Sequence, residues 1–177
     1  MNAIIIYGSC YGASRKYAEA LSEQTGVPAR SFREANSLDQ YDAIVYIGGL
    51  YAGKVLGLAQ TLKQVKAVET LLVITVGLAD PHIPSNMAHI RSKLDRQVPK
   101  ALLDKMEHVH LRGAIDYETL SIKHTMMMSF LVSFLKRQPF EKQTPETKAL
   151  IDTFGHKVDF INLADLAPIA ARLKKSR

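Results

Sequence analysis

The chain has 177 residues, of which 47% are hydrophobic and 23% charged, with one cysteine and no tryptophan. That length suits a single domain over residues 1–177 whose core needs no disulfide or metal, and the composition excludes disordered and fibrous classes. The formal net charge of +6 favours anionic partners without choosing among phosphate groups, nucleic acid and an acidic membrane surface. No apolar run reaches the roughly 18 residues that span a bilayer, and Ala3-Ile4-Ile5-Ile6-Tyr7 follows the start with no signal-peptide pattern. Cys10 alone forms no internal disulfide, so the expected compartment is the cytoplasm.

Residues 3–7 are a short β-branched run ending at Gly8, which predicts a strand buried on both faces. From Ala13 the spacing of Tyr17, Ala18, Leu21 and Ser22 is helical, and Gly26 and Pro28 close the segment. A weaker strand is expected at 29–32, a buried strand at 43–47, a helix at 58–65 and a strand at 71–76. Residues 87–94 and 101–106 read as helical, and 108–111 as the last strand before Arg112-Gly113. Strands alternating with helices need crossover connections, so the expected fold is α/β: a parallel sheet covered on both faces. Periodicity does not choose between the common strand orders of such sheets.

The loops after three of these strands carry the chemistry. The first, Gly8-Ser9-Cys10-Tyr11-Gly12-Ala13-Ser14-Arg15-Lys16, leads into a helix N-terminus, where unpaired N–H groups, the helix dipole and the Ser9 and Ser14 hydroxyls can bind phosphate. The alternative is a plain turn in which Ser14 caps the helix. The spacing is neither a GxGxxG fingerprint nor a Walker A loop, which weighs against NAD and nucleoside triphosphates. The second loop is Gly48-Gly49-Leu50-Tyr51-Ala52-Gly53-Lys54 and the third Gly77-Leu78-Ala79-Asp80-Pro81. In an open doubly wound sheet the ligand crevice lies at the carboxyl ends of the strands, so the three loops are expected to converge on one ligand.

Ser9-Cys10-Tyr11-Gly12-Ala13-Ser14 resembles the phosphate loop of flavodoxins, a hydroxyl residue, two variable positions, glycine, one further residue and a second hydroxyl. Tyr11 departs from that pattern, since flavodoxins usually carry threonine there. The resemblance implies a flavodoxin-like doubly wound sheet of five parallel strands in the order 2-1-3-4-5, binding FMN noncovalently. It places the phosphate on Ser9, Cys10, Tyr11, Gly12, Ala13 and Ser14. The isoalloxazine ring would lie between Gly49, Leu50, Tyr51, Ala52 and Gly53 on one side and Gly77, Leu78 and Ala79 on the other. Tyr51 is the stacking candidate; the alternative is a partly buried loop tyrosine with its hydroxyl in water. The cofactor carries the redox chemistry, so no catalytic acid or base and no metal ligand is expected, and Asp80, His82 and Lys54 read as loop charges.

Arg112-Gly113-Ala114-Ile115-Asp116-Tyr117 precedes a methionine-rich stretch in which Met127, Phe130, Leu131, Phe134 and Leu135 recur at helical spacing. Met128 and Val132 flank them, with Ser129, Ser133 and Lys136 opposite. This predicts an amphipathic helix whose apolar face is either core packing or a surface for a flat hydrophobic substrate. With Arg15-Lys16 after Ser14, and Val158-Asp159-Phe160 before a helix near 163–173, the chain resembles the quinone-dependent, flavodoxin-type protoporphyrinogen dehydrogenases over nearly its whole length. Those proteins insert a helical segment between the last strand and the terminal helix. The resemblance implies an FMN-dependent oxidoreductase that passes electrons from protoporphyrinogen to a quinone, with peripheral contact at the inner face of the membrane through residues 123–137. The alternative is an electron carrier between protein redox partners, against which the charge argues, since flavodoxins are typically acidic. A flavin-free interaction domain is a third reading, and no nucleic-acid partner is expected, because net charge alone speaks for one.

Overall fold

The computed structural model describes residues 2–51, 53–116, 128–129, 132–139, 143 and 145–175. Its first half runs β1 (Ala3–Gly8), α1 (Ala13–Thr25), β2 (Ala29–Ser31), β3 (Ala43–Tyr51), β4 (Lys54–Val55) and α2 (Leu58–Leu62). There follow β5 (Thr70–Gly77), α3 (Pro84–Asp95), α4 (Lys100–Leu103), β6 (Met106–Arg112) and β7 (Ala114–Ile115). The chain then continues through α5 (Pro145–Thr153), β8 (Val158–Asp159), a 3-10 turn at Leu163–Leu166 and α6 (Ala167–Lys175).

Parallel strands stand in the order β2-β1-β3-β5-β6, which is the expected 2-1-3-4-5 once the short antiparallel β4 on β3 is set aside. Because side chains alternate across a strand, each central strand feeds both faces. Ile4, Ile6, Ile44, Tyr46, Leu71 and Val73 pack under α2, α3 and α4 through Leu58, Leu62, Leu94 and Leu102. Ile5, Val45, Ile47, Leu72 and Ile74 pack under α1 and α6 through Tyr17, Leu21, Ile169 and Leu173. These two apolar layers explain why the strands read as unbroken hydrophobic runs.

Several boundaries differ from expectation. The helix expected at 101–106 is α4 and stops at Leu103, because Met106 pairs in register with Leu71 as the first residue of β6. The helix expected at 58–65 ends at Leu62, and the terminal helix opens as a 3-10 turn capped by Asn162, whose side chain accepts the Ala164 N–H. Residues 114–115 and 158–159 form an antiparallel pair that the sequence did not announce. The stretch between β6 and the terminal helix is therefore framed by a two-stranded clasp, with α5 between its strands.

Residues 132–136 are helical, as expected, yet Val132 is the buried side chain there at 2% exposure whereas Phe134 is 55% exposed. The inward face therefore centres on Val132 and excludes Phe134. Met127, Phe130 and Leu131 lie outside the described residues, as do Lys123 and His124. No described helix is long and apolar enough to cross a membrane.

Candidate functional site

The register row Gly8, Gly48, Thr75 and His110 crosses four strands just before the loops leave the sheet. At the first loop, α1 opens from Gly12, whose φ of 92° lies in the left-handed region that a side chain resists. No side chain caps the helix; Ser14 is its second residue, 2% exposed, so the capping role considered for it is not the one it plays. The first N–H groups of α1 thus remain for a ligand or water. The Ser9 hydroxyl oxygen accepts the Gly12 N–H at 3.0 Å, which shapes the turn and leaves the hydroxyl hydrogen to be donated. The Cys10 N–H is donated to the Tyr51 hydroxyl at 3.2 Å.

The second loop is a hairpin: β3 continues to Tyr51 and turns back as β4. Gln97, just beyond α3, fastens it from behind. Its Oε1 accepts the Val55 N–H at 2.8 Å, and its Nε2 donates to Lys93 O at 2.9 Å and to Gly53 O at 3.3 Å. The Tyr51 ring lies 6.0 Å from that of Tyr11, tilted by 57°. Burial, as the largest cause, pushes the Tyr51 phenol up to about 12, so it is a neutral hydroxyl at ordinary pH.

The third loop is tied to the end of β6, where the Gly113 N–H donates to Gly77 O at 2.7 Å and Gly113 O accepts the Phe160 N–H at 3.1 Å. Tyr17 closes the same corner, donating to Arg112 O at 2.8 Å and accepting the Asn162 N–H at 3.1 Å. Asp80 turns its carboxylate to the His82 N–H, and Lys54 is exposed on β4.

Together these elements enclose a cleft of about 560 Å³, within the roughly 300–1,000 Å³ of small-molecule sites. Ser9, Tyr11, Ala13, Ser14, Gly49, Leu50, Tyr51, Gly53, Gly77, Leu78 and Ala79 line it, all named by the sequence reading. Cys10 and Gly12 shape the first loop without lining the cleft, and Ala52 lies outside the described residues. Sequence reasoning missed Val76, Lys93, Gly113, Ala114, Ile115, Gln138, Thr147 and Leu150 on the walls, and it placed Met128 and Leu135 on an apolar helix read either as core packing or as a surface for a flat hydrophobic substrate. The Arg112–Tyr117 turn was the available signal for Gly113, Ala114 and Ile115, and Pro145, a helix-starting residue type, for α5.

One end of the cleft holds the hydroxyls of Ser9 and Ser14 and the positive end of α1, which favour an anion. Its walls are mostly apolar, with Leu50, Tyr51, Val76, Leu78, Ile115 and Leu135, and Lys93 is the one charged side chain among the described lining residues. The donor set suits a ligand with an anionic group at one end and a largely apolar body. No group of three or more histidine, cysteine, aspartate or glutamate residues that could hold a metal occurs among the described residues.

A sequence profile described as a flavodoxin domain matches residues 4–142. The chain belongs to the flavodoxin domain family. Solved structures of similar fold include a flavoprotein from Lactobacillus acidophilus in complex with FMN, with 12% identity, a TM-score of 0.46 and coverage of 63% of this chain and 91% of that one. An NAD(P)H:quinone oxidoreductase from Methanothermobacter marburgensis has 13% identity, a TM-score of 0.44 and coverage of 63% and 86%. A flavodoxin from the domain Archaea has 14% identity, a TM-score of 0.38 and coverage of 86% and 95%. No curated protein sequence matches the chain. Family membership rests on the profile, and the strand order agrees with it.

Proposed function

We propose that this flavodoxin-family chain is one FMN-binding unit that works as an oxidoreductase, and that its substrate is a reduced flat hydrophobic molecule such as protoporphyrinogen, with a quinone as acceptor. One observation carries the reading: a single cleft joins the open N-terminus of α1, the three strand-end loops and the added segment. Ser9, Ser14 and the first N–H groups of α1 would hold the phosphate, and the hairpin at Gly49–Leu50–Tyr51 and the loop at Gly77–Leu78–Ala79 would flank the ring. Bound FMN would supply the capacity to take two electrons from a reduced substrate and deliver them to the quinone. The protein's part is to orient both partners and to exclude water through Met128, Leu135 and Leu150, which extend the apolar wall beyond what the three loops supply.

That wall favours an enzyme over a carrier between proteins, since the added segment covers part of the cleft that a carrier would leave open to a docking partner. The exposed Phe134, Lys136 and Arg137 support peripheral contact with an anionic membrane that holds the quinone, from the cytoplasmic side. The test is the purified protein loaded with FMN and freed of excess. A retained flavin spectrum together with porphyrinogen-dependent quinone reduction supports the full reading; flavin without that activity removes the substrate assignment, and no retained flavin removes the cofactor.

A further inference from the structure

Behind the third loop, three successive carbonyls are each held by a side chain from β6 or α3. Arg112 Nη2 donates to Leu78 O at 3.3 Å, the His110 Nε2 lies 3.2 Å from Ala79 O, and Asn86 Nδ2 donates to Asp80 O at 2.8 Å. A carbonyl can only accept, so His110 carries its proton on Nε2, and in the neutral ring Nδ1 is an acceptor. The Thr75 hydroxyl, 2.8 Å from that Nδ1, therefore donates to it. The Thr75 oxygen is left to accept from His108 Nε2 at 2.9 Å; the alternative donation of Thr75 to Val109 O spans 3.4 Å and is the weaker contact.

Sheet register explains the chain of bonds. Thr75 on β5 stands opposite His110 on β6, and His108 follows two residues away on the same face. Thr75 and His110 are 0% and 4% exposed, so water does not compete for these groups. Burial keeps both rings neutral, pushing each down to about 4.

The consequence falls on the other side of the loop. In a planar trans peptide the N–H of each residue points opposite to the preceding carbonyl. With the carbonyls of Leu78 and Ala79 drawn toward β6, the N–H groups of Ala79 and Asp80 point the other way, and no described residue accepts them. Leu78 and Ala79 line the cleft. We propose that Thr75 and His110, with Arg112, are positioning residues that aim the Ala79 and Asp80 N–H groups at the ligand cleft and so set how firmly the acceptor-bearing edge of bound FMN is held. This rests on the FMN reading above. Two donors fixed in advance stabilise negative charge that develops on that edge during reduction, so the pair also bears on the reduction potential.

The test uses the full chain as wild type, Thr75→Val, Thr75→Ser and His110→Leu, each checked for native circular dichroism. Nitrogen-15 NMR of the unloaded wild type reads the His110 tautomer without any substitution. Expected are an Nε2–H tautomer, FMN binding about tenfold weaker in Thr75→Val and His110→Leu, a lower flavin reduction potential in both, and recovery in Thr75→Ser. An Nδ1–H tautomer overturns the proposal, as do folded Val and Leu variants that bind FMN with wild-type affinity and potential. Failure of the wild type to hold FMN overturns the functional reading and the positioning role with it, whereas equal binding by wild type and variants overturns the positioning role alone. Should the Val and Leu variants fail to fold, the tautomer and the Thr75→Ser potential decide: Nε2–H with a wild-type potential supports the proposal, and Nδ1–H removes it.

Discussion

The Tyr51 hydroxyl accepts the Cys10 backbone N–H at 3.2 Å and so joins the second loop to the first across the cleft. This contact is at the surface, where water can replace the lost acceptor, so Tyr51→Phe is expected to change stability by less than about 1 kcal/mol and FMN affinity by less than about threefold. Tyr51→Ala also removes the ring that walls the cleft and should weaken FMN by about tenfold or more. Fluorescence titration of FMN against both variants measures the difference, and an Ala variant that binds as tightly as the Phe variant removes the ring contact from the proposed site.

Gly8 and Gly12 separate a packing requirement from a conformational one. A Cβ at Gly8 would meet the Leu56 carbonyl oxygen at 2.0 Å, a backbone atom that cannot swing aside, so Gly8→Ala should destabilise by on the order of 3 kcal/mol. At Gly12 nothing lies within 4 Å, but φ is 92°, so Gly12→Ala should cost only about 1 kcal/mol in stability while moving the first N–H groups of α1. Denaturant melts with and without FMN check both. Gly12→Ala should lose more of the FMN-induced stabilisation than of the unliganded stability, and the reverse result would place Gly12 in the fold alone.

His108 and His110 predict a pH dependence with a defined sign. Burial is the main cause that lowers both to about 4 from the ordinary 6.5; the other ring and then Arg91 add to it for His108, opposed by Asp95, whereas for His110 the hydrogen bond to the Ala79 carbonyl opposes it and Arg112 adds to it. The unfolded chain therefore binds protons that the folded chain refuses between about pH 6.5 and 4. Stability is complete above the upper limit and falls as pH drops through the window, by on the order of 3 kcal/mol for the deeply buried His110. Melts of the wild type and His110→Gln across that window isolate the term from the carboxylates, which act in both. Equal slopes for the two proteins would falsify the assignment.

The three central strands β1, β3 and β5 were legible because each is buried on both faces and shows as an unbroken apolar run, and the first loop because its hydroxyl and glycine spacing is local. What escaped the sequence is set by distant partners. Met106 belongs to β6 because Leu71 pairs with it, although a helix ends only at Leu103. Two-residue strands such as β7 and β8 carry no periodicity, and they exist through each other. Gln97 and His110 gave no signal either: each acts on a loop more than 30 residues away in sequence, Gln97 on Val55 and His110 on Ala79. The stripe from Met127 to Leu135 was visible as amphipathic, but which of its described side chains face inward depended on Val132 being the buried one.

That orientation separates two neighbouring side chains. Leu135 lines the cleft, whereas Phe134, next to it, is 55% exposed beside Lys136 and Arg137, which are exposed as well. An aromatic side chain flanked by cations suits the interface of an anionic membrane, and burying a phenylalanine there contributes about 1.5–3 kcal/mol. Phe134→Ser should therefore weaken sedimentation with vesicles rich in anionic lipid by about tenfold and leave FMN affinity unchanged. Leu135→Ser should leave vesicle binding nearly unchanged and raise the KM for a hydrophobic substrate, because it places a hydroxyl in the apolar wall. If instead Phe134→Ser disturbs FMN and Leu135→Ser disturbs vesicle binding, the helix is turned the other way against the cleft. If neither variant changes vesicle binding, contact through this segment is excluded and the quinone must be reached from another face.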